Sequence, residues 1–150
     1  MAKIEKILCA VDFSEHSPHV ADYAATLAKA FGAKVLCLYV APSLSEYLGF
    51  HVPPSSIENF VGEIVAGADT TMEEFVAKRF EGVACTGKVL TGYAAEEILA
   101  AVKSEKADLL VMGTHGRKGI DRILFGSVAE KVVKSASCPV LTIRPEPVEK

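Results

Sequence analysis

The strongest constraint on the fold is an alternation of two kinds of segment along the chain. Apolar runs of strand length, such as ILCAV and DLLVM, alternate with segments whose apolar residues recur at helical spacing. Continuous apolar runs suit strands that are buried on both faces, and the segments between them suit amphipathic helices. The alternation predicts an α/β fold with five strands and four helices, in which one open parallel sheet carries helices on both faces.

Five apolar runs give the bounds of the predicted strands. They cover residues 7–11, 33–41, 83–92, 107–113 and 138–144. Pro139 stands at the start of the last run. Since proline cannot donate to a strand ladder, we expect this strand at an edge of the sheet.

Four periodic segments predict the helices. Ser14 is placed to cap the first helix, and Gly32 is a stop signal after it. The second helix ends near Gly82, and Ser127 opens the fourth. Prolines within residues 42–56 predict a loop. The inward faces are expected to consist of Val20, Ala24, Leu27, Ala28 and Phe31 in the first helix, Ile57, Phe60, Val61, Ile64, Val65, Ala68, Met72, Phe75 and Val76 in the second, Ala95, Ile98, Leu99 and Val102 in the third, and Val128, Val132, Val133 and Ala136 in the fourth.

Length and charge restrict the class of protein. A chain of 150 residues, 50% of them hydrophobic, is the size of one domain with its own core. The net charge of -3 gives no general attraction to nucleic acid or to an anionic membrane surface. No apolar stretch approaches the roughly 18 residues of a membrane span. We therefore expect a cytoplasmic protein that binds neither nucleic acid nor membrane.

The cysteines and histidines give weak signals for metal or redox chemistry. The cysteines are far apart in the sequence and contain no CxxC pair, so small buried apolar residues in a reducing compartment are the simpler interpretation. His16 and His19 lie three residues apart, but a zinc site needs further ligands. We interpret both histidines as exposed polar residues. The cysteines are Cys9, Cys37, Cys85 and Cys138.

The stretch GTHGRKGIDRILFGSVA concentrates glycine and positive charge directly after the fourth strand. In an open parallel sheet, ligands bind beyond the carboxyl ends of the strands where the strand order reverses. With the order 3-2-1-4-5, this point lies between Asp12, after strand one, and Gly113, at the end of strand four. Gly113 and Gly116 let the backbone approach a ligand closely. Gly126 and Ser127 place a helix amino end at the other end of the loop, which suits a phosphate.

Local charge is compatible with an anion but does not decide the question. Arg117, Lys118 and Arg122 against Asp121 give three minus one, a local charge of +2. A solvated basic loop without a ligand remains an alternative to a phosphate cradle. Neither G-x-x-x-x-G-K-[ST] nor G-x-G-x-x-G occurs. No arrangement of a catalytic triad or nucleophile elbow stands out either.

The spacing Gly113-x-x-Gly116, nine residues, Gly126-Ser127 resembles the ATP-binding signature G-2x-G-9x-G-(S/T) of the universal stress protein family. The resemblance extends to KILCAVDFSEHS, to Gly92 and to CPVLTIR, and so covers nearly the whole chain. It implies a Rossmann-like fold similar to that of the adenine nucleotide alpha hydrolases. It also implies a universal stress protein domain at residues 1–144, a C-terminal tail at 145–150, cytoplasmic location and a homodimer through the last strand.

The resemblance further implies a site for ATP with a divalent ion, magnesium or manganese. Some family members have a hydroxyl residue where this chain has Ala129, which leaves one phosphate contact open. Asp12 could instead cap the first helix or bind the Ser14 backbone. The implied set consists of Ala10, Asp12 and Val40 at the adenine and ribose end, Met112 and Gly113 at the ribose and first phosphates, and Gly116, Gly126, Ser127 and Val128 along the phosphate chain.

Three functions remain open on the sequence. The first is an ATP-binding stress-response regulator or sensor with an unknown protein partner and, at most, slow ATP hydrolysis. The second is an adenylyl or phosphoryl transferase, although H-I-G-H and S-G-G-x-D-S are absent. The third is a protein-interaction module that binds no nucleotide. The segment at 43–56 could cover a nucleotide, receive a partner or pack over the core.

Overall fold

Five parallel strands form one sheet in the computed structural model, which describes residues 2–41, 54–114 and 126–145. The strand order is β3-β2-β1-β4-β5. The predicted α/β fold, the element count and the strand order are confirmed for the described residues. In chain order the elements are β1 Lys6–Val11, α1 Ser17–Phe31, β2 Lys34–Ala41, α2 Pro54–Arg79, β3 Cys85–Thr91, α3 Ala94–Ser104, β4 Leu109–Gly113, α4 Ser127–Ser135 and β5 Val140–Ile143.

The central strand β1 explains why the apolar runs are continuous rather than alternating. It pairs with β2 on one side and β4 on the other, with Cys9 opposite both Cys37 and Val111. Residues on each face of β1 are covered, so both sets of side chains must be apolar. Strand β5 pairs with β4 and lies at an edge of the described sheet, as Pro139 predicts.

Two hydrophobic clusters lie on opposite faces of the sheet. Ile7 and Cys9 of β1 pack on one side with α1 and α2, and Leu8 and Ala10 pack on the other with α3 and α4. Ile7, Leu8 and Leu110 have no exposed surface. Each such side chain contributes about 1.5–3 kcal/mol to folding when it leaves water. Because strand side chains alternate between two covered faces, both faces of the sheet contribute buried apolar surface, which holds the helices on the sheet.

Helix α1 begins later than the sequence predicts. Its N-cap is His16, and Pro18 occupies the first turn, where proline suits a helix start. Ser14 is not the cap: its Oγ accepts a hydrogen bond of 3.3 Å from the backbone N–H of His16 in the preceding turn. The predicted stop at Gly32 is confirmed, because this residue has φ 66 and closes the helix in the left-handed conformation.

Among the residues whose burial the structure describes, two predicted inward residues are exposed. Phe31, in the last turn of α1, is 50% exposed, and Val133 of α4 is 43% exposed. Successive residues of a helix point about 100° apart, so Val132 and Val133 cannot both face the sheet. Val132 is buried, and Ala129 takes the second core position.

Helix α2 begins before the predicted position. Residues 54–56 were expected in a loop but form its first turn, since proline is compatible with that position. The rest of the predicted loop lies outside the described residues. In the described part of the chain, no helix combines the length and apolarity that a membrane span requires.

Candidate functional site

The strand order reverses between β1 and β4, which places their carboxyl ends side by side. The register sets Ala10 opposite Met112, so Asp12 and Gly113 follow at the same edge of the sheet. Ala10 and Met112 are buried, with 8% and 5% of their surface exposed. Val40, near the end of β2, is partly buried at the same edge. Four of the predicted site residues therefore lie at the expected switch point, and Val40 lies next to it on β2.

Asp12 is held in place by the turn that follows β1. Its Oδ1 accepts a hydrogen bond from the Ser14 backbone N–H at 2.9 Å and another from the Ser17 hydroxyl at 3.1 Å. Ser17 is only 2% exposed. The alternative structural role of Asp12 in binding the Ser14 backbone is thus present. It also orients the carboxylate, and a contact with a ligand remains a prediction.

Phe13 is a residue of this region that the sequence did not indicate. Its φ of 58 lies in the left-handed region, which residues other than glycine and asparagine rarely adopt. Its ring packs on Tyr39 of β2 with centroids 4.6 Å apart, and on Phe75 of α2 at 5.7 Å. These aromatic contacts offset the backbone strain. A positive φ at phenylalanine leaves no signal in composition or periodicity.

The two ends of the glycine loop meet at Thr114. The backbone N–H of Gly126 donates to the Thr114 carbonyl oxygen at 2.7 Å. Thr114 donates from its own N–H to the Ile143 carbonyl oxygen at 3.0 Å, and its Oγ1 lies 3.4 Å from the same oxygen. A methyl group at Gly126 would stand 3.3 Å from the Thr114 oxygen, a tight approach. Gly116, Arg117 and the other loop residues from 115 to 125 lie outside the described residues.

The amino end of α4 has no cap among the described side chains. Gly126 is its N-cap residue, and no side chain of the described residues forms a cap hydrogen bond with the helix. The first backbone bond within the helix runs from the Glu130 N–H to the Gly126 oxygen at 2.9 Å. The N–H groups of the first turn, at Ser127 and Val128, therefore point out of the helix end. Such an end attracts anions.

Ala129 faces the core rather than the helix end. It is 3% exposed and belongs to the cluster beneath α4. Among the described residues, no group of three or more histidine, cysteine, aspartate or glutamate side chains is placed to hold a metal ion. The described part of the site therefore offers backbone donors and one oriented carboxylate.

The fold brings together cysteines that are distant in the sequence. Cys9 and Cys37 are register partners on β1 and β2, and both are buried, as predicted. A hydrogen bond with Cys9 and burial raise the pKa of the Cys37 thiol far above its usual range. Burial also raises the pKa of Cys85, on β3, to about 12. Cys85 and Cys138 are partly exposed, so the interpretation of all four as buried is wrong for these two.

Comparison with known proteins decides the family. A model of the universal stress protein family matches residues 3–144. This chain belongs to the universal stress protein family. Universal stress protein MJ0531 of Methanocaldococcus jannaschii is 37% identical over 142 residues, which are 93% of this chain and 82% of that protein. A universal stress protein of Thermus aquaticus is 37% identical over 144 residues, 92% of this chain and 97% of that protein.

Solved structures of the family share the fold. UspA from Lactobacillus plantarum superposes with a TM-score of 0.80 at 25% identity, covering 96% of this chain and 100% of that one. A universal stress protein in complex with cAMP gives 0.71 at 22% identity, over 95% and 98% of the two chains. The Archaeoglobus fulgidus protein in complex with dAMP gives 0.62 at 23% identity, over 95% and 98%.

Proposed function

We propose that this universal stress protein binds ATP between the carboxyl ends of β1 and β4 and acts as a regulator or sensor of stress. One observation carries the proposal. The hydrogen bond from Gly126 to Thr114 sets the amino end of α4, which no described side chain caps, against the end of β4. Asp12 follows β1 at the same edge of the sheet. A site of this kind can receive a phosphate chain on one side and a ribose hydroxyl on the other.

The proposed contacts divide along the nucleotide. The backbone N–H groups at the start of α4 are proposed to bind the phosphates, and this binding needs no side chain. At Gly126 a larger residue would crowd the Thr114 carbonyl oxygen, so glycine keeps the phosphate space open. The related proteins in complex with cAMP and dAMP support an adenine nucleotide as the ligand class. The proposed set is Ala10, Asp12 and Val40 at adenine and ribose, Met112 and Gly113 at ribose and first phosphates, and Gly116, Gly126, Ser127 and Val128 along the phosphates.

A magnesium or manganese ion would accompany the nucleotide. Since the described residues provide no cluster of protein ligands, such an ion would be held mainly by phosphate oxygens and water. Its chemical contribution would be to neutralise phosphate charge. We assign the role of general base for water to none of the described side chains. ATP hydrolysis, where it occurs, is therefore proposed to be slow, and regulation rather than turnover is the proposed role.

Membership of the family is the basis for proposing the domain bounds, the cellular location and the oligomeric state. We place the domain at residues 1–144 with a tail at 145–150, and the protein in the cytoplasm. The homodimer is proposed to form through β5, whose outer edge is unpaired in the described sheet. Pairing this edge with its copy would satisfy the outward backbone groups.

Nucleotide release from purified protein tests the proposal. Protein purified without added nucleotide is denatured, and the released compounds are identified by chromatography. Gly126→Val adds a side chain at the tight approach to Thr114, whereas Gly67→Val adds the same side chain on α2, where a methyl group meets nothing within 4 Å. We expect ATP from the wild type and from Gly67→Val, and none from Gly126→Val.

Circular dichroism and thermal unfolding of the variants separate a lost site from a lost fold. Equal nucleotide content in a folded Gly126→Val protein would refute the proposed site. If no sample releases nucleotide, calorimetric titration of the wild type with ATP and magnesium decides the matter. Absence of binding at millimolar ATP would favour an interaction module, and turnover above roughly 1 per second would favour a phosphoryl transferase.

A further inference from the structure

The edge of the sheet opposite β5 is formed by β3. In the described residues this strand pairs with β2 and with no strand on its other side. Its middle residues Thr86, Gly87 and Lys88 are exposed. A strand that is paired on one side directs half of its backbone N–H and C=O groups outward. The edge therefore offers hydrogen bonds to an extended segment of another chain.

A groove runs beside this edge, between β3 and α2. It encloses about 460 Å³, and its apolar lining includes Met72 and Val89. Gly87 lies at the bottom of the groove, directly beneath side chains of α2. A methyl group at this position would overlap the Met72 side chain and stand 3.2 Å from Cγ2 of Val76. The helix can thus lie directly on the strand, and the space along its flank stays open.

The groove is acidic. Asp69 and Glu73 lie one turn apart on α2, are exposed and line it. Neither forms an ion pair with another described residue. Lys88, the cation of β3, points to the other face of the sheet, where its Nζ lies 3.7 Å from Glu105. No described cation therefore forms an ion pair with either groove carboxylate.

We infer that this edge and groove bind an extended, basic segment of a partner protein. The segment would pair with β3 as an additional strand. A lysine or arginine on its α2 side would lay its alkyl stem on Val89 and its charge between Asp69 and Glu73. Backbone bonds would supply affinity, and the acidic groove would supply selectivity.

The charge of the groove also argues against a second copy as the occupant. Two-fold pairing of β3 with β3 would bring the α2 helices of both copies to the same face of the joined sheet. Asp69 and Glu73 of one protomer would then approach those of its partner. Like charges in contact across an interface disfavour it. The same carboxylates attract a basic segment. The charge of the groove therefore favours a basic partner segment over a second copy of this chain at β3.

Fluorescence anisotropy with defined peptides tests the inference. The probe is a labelled peptide of roughly eight residues, a usual strand length, in which lysine and threonine alternate with valine. A second peptide carries glutamate in place of lysine. Asp69→Asn/Glu73→Gln removes both groove charges, and Glu74→Gln/Glu81→Gln removes two exposed carboxylates outside the groove. Amide hydrogen exchange of β3 is measured with and without the lysine peptide.

We expect the lysine peptide to bind, the glutamate peptide not to bind, and β3 amides to exchange more slowly in the complex. The groove variant should bind about fivefold to tenfold more weakly, and the control variant as the wild type does. No binding of the lysine peptide, equal binding by both variants, or binding without protection of β3 would each overturn the inference. Protection of β3 that grows with protein concentration alone would assign the edge to a second copy instead.

Discussion

At the scale of single residues, the turn after β1 shows how side chains fix the proposed nucleotide site. The Asp12 carboxylate is oriented by Ser14 and Ser17, while Phe13 adopts a left-handed backbone conformation that costs energy. The ring contacts with Tyr39 and Phe75 compensate for that cost. The position of the carboxylate thus depends on an aromatic residue that need not touch a ligand.

Two substitutions of Phe13 separate backbone strain from packing. Phe13→Ala removes the ring contacts but keeps a side chain at positive φ, and we expect a loss of roughly 2–3 kcal/mol in the free energy of unfolding. Phe13→Gly removes the same contacts and relieves the strain, so it should be the more stable of the two by roughly 1 kcal/mol. Urea denaturation measures both. An alanine variant as stable as the glycine variant would contradict the role of strain.

The cysteines permit a second prediction from their surroundings. Thiolates are the reactive form. A hydrogen bond with Cys9 and burial raise the pKa of the Cys37 thiol, and burial raises the pKa of the thiols of Cys85 and Cys138. Cys138 is partly exposed, so we expect it to be alkylated first by iodoacetamide at neutral pH. Cys85, with a pKa of about 12, should follow slowly, and Cys9 and Cys37 should react only on unfolding. Peptide mass spectrometry over time gives the order; early modification of Cys37 would show that β1 and β2 open in the native state.

At the scale of elements, the sequence predicts those helices and strands whose apolar residues follow a regular pattern along the chain. Strands β1 and β4 were predictable because burial on both faces requires a continuous apolar run. Which of Val132 and Val133 faces inward was not, since both fit an approximate helical period. The contact of Cys9 with Cys37 depends on the register between strands, which spacing along the chain does not contain.

The candidate site divides in the same way. The glycine spacing and Asp12 could be read from the sequence because glycine and helix-start signals are local. The hydrogen bonds from Gly126 to Thr114 and from Thr114 to Ile143 could not, because they join positions 12 and 29 residues apart. Those long-range bonds are what bring α4 to the end of β4.

The packing of α2 on β3 gives a prediction at the same scale. Gly87→Ala introduces a methyl group that overlaps Met72, and we expect a loss of roughly 1–3 kcal/mol in the free energy of unfolding. Met72→Ala should remove much of that cost, so the double variant will be less destabilised than the sum of the single ones. Gly67→Ala is the control, because open space surrounds it and alanine favours a helix. Additive effects would show that Gly87 is not required by Met72.

At the scale of the whole molecule, the two sheet edges differ in what they can bind. Strand β3 lies beside an acidic groove, and β5 carries none of that charge: its residues are the uncharged VLTI. Self-pairing of β5 brings no like charges of the strand together, whereas self-pairing of β3 brings the groove carboxylates together. The proposed functions of the edges, homodimer at β5 and partner segment at β3, follow from this difference.

A matched pair of substitutions tests the assignment of the edges. Thr142→Lys places a charge on β5, where the copy of the same strand would meet it, and like charges on paired edge strands oppose association. Thr86→Lys makes the same change on β3, at an exposed residue. We expect the wild type and Thr86→Lys to scatter light as dimers of a 16.0 kDa chain at micromolar concentration, and Thr142→Lys to scatter as a monomer. A monomeric wild type would refute the dimer, and dissociation by Thr86→Lys alone would move the interface to β3 and contradict the partner segment there.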